Sequence, residues 1–120
     1  MFISSNDPAL SYSGRWTRSS NSATASWCSS TISFNVHGSG KLCLLSGSQS
    51  ERKDRFGGGT PTLVWTVDDQ VFSCDVEGEN KISLLDRSES RESRVEVVLA
   101  DWASVIEVLG FETQGVGHTV

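Results

Sequence analysis

The chain has 120 residues, a formal net charge of -5, 37% hydrophobic residues and 21% charged ones. Such a length holds one hydrophobic core with little room for a second, and the composition, with four Trp and five Phe, belongs to a folded domain rather than a disordered tail. The acidic balance argues against a nucleic-acid partner, which needs clustered Lys and Arg. No apolar run approaches the ~20 residues of a membrane-spanning helix, so no membrane is expected.

Residues 1–120 read as a single domain. Met1 to Leu10, rich in Ser, Asn, Asp and Pro, reads as an irregular lead-in without the pattern of a signal peptide. Ala23, Ala25 and Trp27 alternate with polar neighbours, and Ile32, Phe34 and Val36 alternate with Ser33, Asn35 and His37, the pattern of half-buried strands. Gly38 and Gly40 interrupt the second run, and Lys41 to Leu45 resumes it, which predicts a hairpin closed around Gly38, Ser39 and Gly40.

Ser46 to Pro61 is polar and glycine-rich without periodicity and reads as a long exposed loop. Its basic residues Arg52, Lys53 and Arg55 are interrupted by Asp54, as in a solvated face. Thr62 to Val67 and Gln70 to Val76 then predict a hairpin turning at Asp68 and Asp69, with Leu63, Trp65 and Val67 on one face. Lys81 to Leu85 is a short strand and Asp86 to Arg94 a charged loop. Val95 to Leu109 fits both helical and alternating spacing; a turn at Asp101, Trp102 and Ala103 between two β-branched strands suits the rest of the chain, with a helix as the alternative. Strand-like runs recurring about every ten residues favour a sandwich or barrel.

A search for chemistry is mostly negative. Cys28, Cys43 and Cys74 form no C-x-x-C pair and lie in apolar or alternating stretches, where a free thiol behaves as a small buried hydrophobe; one disulfide with a leftover thiol is the alternative. No G-x-S-x-G elbow is present, so a triad built on His37 or His118 has no motif behind it. Gly57, Gly58 and Gly59 lack the Lys-Ser/Thr of a phosphate loop. Asp68 and Asp69 suit a turn better than a calcium site, which wants six to eight oxygens. Catalytic, cofactor and metal residues are therefore expected to be none. Among the four tryptophans, Trp27 and Trp65 sit in alternating strands and point inward, whereas Trp16 and Trp102 lie near turns and are the candidates to stack on a sugar ring.

Four strings carry a resemblance: Leu10 to Thr17 (LSYSGRWT), Ala25 to Gly38 (ASWCSSTISFNVHG), Val67 to Phe72 (VDDQVF) and Val95 to Thr113 (VEVVLADWASVIEVLGFET). Together they resemble the amino-terminal β-sandwich of fungal SGNH, or GDSL-type, esterases akin to carbohydrate esterase family 2. The resemblance implies an all-β fold, a jelly-roll β-sandwich of about eight antiparallel strands. It also implies a partner: an SGNH hydrolase domain in a longer parent chain, which removes acetyl groups from plant cell-wall polysaccharide and keeps the catalytic Ser and His. No G-D-S block or D-x-x-H occurs here, so no catalytic residue carries over, and the chain is expected not to be an enzyme by itself. An extracellular location follows from the family alone.

Three functions are thus in play. A non-catalytic accessory domain beside the hydrolase predicts an exposed apolar patch. An independent carbohydrate-binding module predicts a groove with an exposed aromatic, with Trp16, Trp102 and the Ser46 to Pro61 loop as contacts. A small hydrolase needs a serine within reach of His37 or His118.

Overall fold

Alternation of apolar and polar residues becomes ten strands in the computed structural model, which describes residues 2–25, 29–52, 62–76, 78–99 and 104–119. They are β1 (Phe2–Ser4), β2 (Ser11–Ser13), β3 (Trp16–Arg18), β4 (Ala23–Ala25), β5 (Thr31–Ser46), β6 (Glu51–Arg52), β7 (Thr62–Val67), β8 (Gln70–Asp75), β9 (Asn80–Leu99) and β10 (Ser104–Thr119). The described residues contain no helix. Strands neighbour one another in the order β3-β4-β10-β5-β9-β7-β8, with β1 and β6 on β10 and β2 on β5. Every pairing is antiparallel.

The three long strands break register at one level. Gly38 pairs with Arg91 but Gly40 with Arg87, so residues 88–90 bulge out opposite Ser39. On the other side of β5, Gln114 and Gly115 share Lys41 as partner before Val116 meets Gly38. Such bulges bend a strand and sharpen its twist. Gly38, Gly40 and Gly115 have φ of +97°, +130° and +83°, a backbone that a residue with a Cβ adopts only under strain.

Bent along this line, the sheet closes on itself. Phe34 and Leu44 are ten residues apart on β5, about 33 Å if the strand were straight. Yet Phe111, paired with Leu44, packs its ring 4.7 Å from that of Phe34. One layer holds β2, residues 31–37 of β5, residues 92–99 of β9, the β7–β8 pair and the end of β10; the other holds β1, β3, β4, residues 41–46 of β5, residues 80–85 of β9 and the start of β10. Ile32, Phe34, Val36, Leu63, Val95 and Leu99 fill the space between from one side; Ile3, Leu42, Leu44, Ile82, Ile106 and Phe111 fill it from the other. The fold is an all-β sandwich of the jelly-roll kind, as expected, with ten strands among the described residues.

The strand pattern holds where alternation was strong. Ile32, Phe34 and Val36 are buried, as are Leu63, Trp65 and Val67, and β7 and β8 form the hairpin that turns at Asp68 and Asp69. The stretches on both sides of residues 100–103 are strands, not one helix.

Four expectations are corrected. The Gly38–Gly40 interruption is a bend within β5, not a hairpin, because the two halves pair with β9 and β10 instead of each other. Asp86 to Arg94 lies within β9, with residues 88–90 as a bulge in it; its side chains face solvent wholly or in part except that of Ser93, which is buried, so the polar run marks an outward face and not a departure of the backbone from the sheet. The lead-in contains β1, held by β10 through Ile3 opposite Phe111, and Ile3 and Leu10 join the core. The start of the long loop is tied down, since Gly47 N–H donates to the Glu107 carbonyl (2.7 Å) and the Ser50 hydroxyl accepts from the Glu107 N–H (3.0 Å). Residues 53–61, with the triple glycine, lie outside the described residues, as do Trp27, Cys28 and Trp102.

Candidate functional site

At one flank of the sandwich the two layers stay apart. The β7–β8 hairpin ends the first layer, and residues 80–85 of β9, paired with β5 on one side, border the second. Between them runs a cleft of about 310 Å³ whose walls include Trp65, Gln70 and Phe72 from the hairpin and Leu84, Asp86 and Arg87 from β9. A cleft of this size lies at the small end of the range for small-molecule sites, about 300–1,000 Å³.

An aromatic platform forms its floor. The two-residue turn sets Val67 opposite Gln70 and therefore Trp65 opposite Phe72, where cross-strand side chains share a face. The rings stack with centroids 5.8 Å apart and planes 20° from parallel. Trp65 is 6% exposed and its indole N–H donates to the Leu84 carbonyl across the cleft at 3.0 Å, which locks the indole. Phe72 lies on top of it and is 41% exposed.

Charges around the platform are held by neighbours. Arg87 spans the corner: Nε donates to the Gly38 carbonyl at 3.0 Å, Nη1 to the Ser93 hydroxyl and Nη2 to the Arg91 carbonyl. Ser93 in turn donates to Asp68 Oδ2 at 2.9 Å, and Arg91 sits 3.6 Å from the same oxygen. Asp68, with φ of +54°, is thus committed to the turn and to this network. Across the sheet Lys41 lies 4.0 Å from Asp86. A second depression of about 320 Å³, beside Asn35, Asp68, Glu92 and Arg94, has no aromatic wall among the described residues. Among the described residues no group of three or more His, Cys, Asp or Glu is placed to hold a metal ion.

Trp16 stands elsewhere, on β3, half-buried against the core. Its indole N–H donates to the Ser13 carbonyl at 2.9 Å, and the edge of Tyr12 meets it at 5.2 Å between centroids and 73° between planes. Arg18 caps the Tyr12 ring at 4.1 Å. Burial pushes the Tyr12 phenol above its usual range, with Arg18 pulling the other way; the hydroxyl donates to the Ser5 carbonyl at 2.6 Å. His118 Nε2 is 3.0 Å from Asp7 Oδ2, which ties the end of β10 to the lead-in, and the His37 ring lies over Gly117. Cys43 and Cys74 are free thiols, Cys43 buried and Cys74 partly so. Among the described residues the other exposed large apolar side chains are Phe2 (55%) and Val71 (68%).

Phe72 escaped the sequence reading. The signal was present, because a two-residue turn at Asp68 and Asp69 dictates that Trp65 and Phe72 face each other; what could not be read was that this pair borders a cleft.

Solved structures share this architecture. A family 2 carbohydrate esterase from Cellvibrio japonicus matches with a TM-score of 0.77 and 19% identity over 100% of this chain and 33% of that one. An acetyl xylan esterase from the rumen bacterium Butyrivibrio proteoclasticus matches with 0.73 and 14% over 100% and 33%. A family 35 carbohydrate-binding module from an environmental isolate matches with 0.62 and 9% over 100% and 98%. The chain thus spans about a third of the length of these esterases and nearly the whole of the binding module. Likeness at this identity establishes the shared sandwich fold. No protein-family model and no curated protein matches the sequence.

Proposed function

We propose that this chain is a non-catalytic accessory domain of a carbohydrate esterase, seated at the amino-terminal side of an SGNH hydrolase domain that carries the acetyl-removing chemistry. The observation behind the reading is the overlap in extent: the sandwich accounts for a third of each esterase, leaving the remainder of those chains for another unit. The motifs from Leu10 to Thr113 resemble the same family, and β8 exposes an apolar side chain on each of its two faces, Val71 on one and Phe72 on the other, as a strand covered by a neighbouring domain would.

The test is hydrolysis of an acetyl ester by the purified chain, with and without the SGNH domain of a family 2 esterase fused after it. The chain alone is expected to be silent and the fusion active. Turnover by the chain alone that disappears on His118→Ala would overturn the reading.

A second reading, an independent carbohydrate-binding module, is favoured by the match along 98% of a family 35 module and by the aromatic-floored cleft. Trp16 and Trp102 remain candidate contacts under it. Titration of intrinsic Trp fluorescence with acetylated xylan and glucomannan fragments separates the two: a saturable change supports a module, and its absence at millimolar ligand argues for the docking role alone.

A further inference from the structure

We infer that the cleft between the β7–β8 hairpin and residues 80–85 of β9 is a binding site for a neutral sugar ring, with Phe72 as its stacking face. The inference rests on the carbohydrate reading above and goes further by assigning the place and the class of sugar. A pyranose presents one apolar face and a rim of hydroxyls, so its site needs a flat apolar surface that does not move and polar groups at the edge. Phe72 supplies the surface. It is immobilised from beneath by Trp65, which is itself fixed by the 3.0 Å hydrogen bond to the Leu84 carbonyl, so little side-chain freedom is left to lose on binding. Gln70 and Asp86 stand at the rim and offer the donors and acceptors that hydroxyls require.

Charge selects the class. Of the two arginines in the wall, Arg87 spends Nε, Nη1 and Nη2 on protein oxygens, and Arg91 faces Asp68. Asp86, also on β9, adds a negative charge that faces Lys41 at 4.0 Å. Arg87 and Arg91 are thus engaged by protein oxygens and Lys41 by Asp86, so among the described residues the cleft has no uncommitted cation cluster to hold the carboxylate of an acidic sugar. A neutral oligosaccharide fits this balance.

The experiment is a two-dimensional NMR titration of the whole chain with xylohexaose, cellohexaose, mannohexaose and, as the acidic probe, trigalacturonate. The Trp65 indole N–H, assigned from its loss in Trp65→Phe, reports on the cleft. A neutral hexaose is expected to shift that resonance, and Phe72→Ala to weaken binding about tenfold or more, as for a central aromatic anchor, with Phe72→Tyr close to the wild type and Trp16→Ala without effect. Gln70→Ala, on the exposed turn side of β8, serves as a second variant and is expected to weaken binding a few-fold. Binding that survives Phe72→Ala and Gln70→Ala but is lost in Trp16→Ala overturns the assignment while leaving the carbohydrate reading standing. Preference for trigalacturonate overturns the sugar class. No binding of any probe removes the site and the module reading together, and leaves the accessory-domain reading to its own ester-hydrolysis test.

Discussion

Replacing Gly40 by alanine strikes the line along which the sheet folds over. At φ of +130° a residue with a Cβ pays conformational strain of about 1–3 kcal/mol. The added Cβ would overlap the Gln114 carbonyl oxygen and stand 2.9 Å from the carbonyl carbon, so β10 has to shift, at about 1–3 kcal/mol more by analogy with overpacked sites. The expected loss is about 2–6 kcal/mol, a large share of the 5–15 kcal/mol typical of a domain. Gly78 is the internal control. It too has positive φ, +61°, but a Cβ there meets nothing within 4 Å. Left-handed backbone costs alanine about 1–2 kcal/mol, offset by 0.4–1 kcal/mol from a stiffer unfolded chain, roughly, so Gly78→Ala should lose about 1 kcal/mol or less. Urea denaturation followed by Trp fluorescence, with m-values compared to confirm an unchanged end state, measures both. A difference of about 1 kcal/mol or more is expected, equivalent to a Tm gap of roughly 3–6 °C or more for a domain of this size. Equal losses at the two positions would mean that the bend does not depend on the contact between β5 and β10 at Gly40.

Trp65→Phe removes the hydrogen bond that crosses the cleft, worth about 1 kcal/mol, and shrinks a side chain that is 6% exposed, worth about 1–2 kcal/mol more; a measured loss below about 1 kcal/mol would show that the indole does not tie the layers together. Tyr12 makes stability depend on alkaline pH. Because burial raises its phenol in the folded state, its contribution is complete below the unfolded value of about 10 and fades as pH climbs through the folded one, so the Tm of the wild type should fall between about pH 9 and 11 more steeply than that of Tyr12→Phe; parallel curves refute this. Cys74, whose thiol is pushed up by burial first and by Asp75 second, should react with a disulfide reagent at pH 8 more slowly than a short cysteine peptide, since the thiolate is the nucleophile. In a Cys28→Ser background, with Cys43 buried, a rate matching the peptide would contradict the assigned environment.

Local alternation was enough for several elements. Ile32, Phe34 and Val36, and Leu63, Trp65 and Val67, fall on buried faces because a strand sends successive side chains to opposite sides. The hairpin at Asp68 and Asp69 follows because the two strands that it joins are neighbours in the chain. Of the two site residues that the sequence suggests for their nearness to turns, Trp16 has its indole half-buried on β3 with its N–H bonded to Ser13, a partner three residues away that no periodicity announces, and Trp102 lies outside the described residues.

The sequence by itself determined the fold class, the strand faces and the register of the β7–β8 hairpin, all of which rest on period two and on turns between adjacent strands. Only the tertiary structure decided that Gly38 and Gly40 bend one strand instead of ending two, that the charged stretch from Asp86 to Arg94 remains in β9, and that Trp65 and Phe72 floor a cleft against Leu84. The reason is that backbone pairing between β5, β9 and β10 joins residues as far apart as Asn35 and Thr119 through N–H and C=O groups common to all side chains, so the sequence carries little local record of which strands meet.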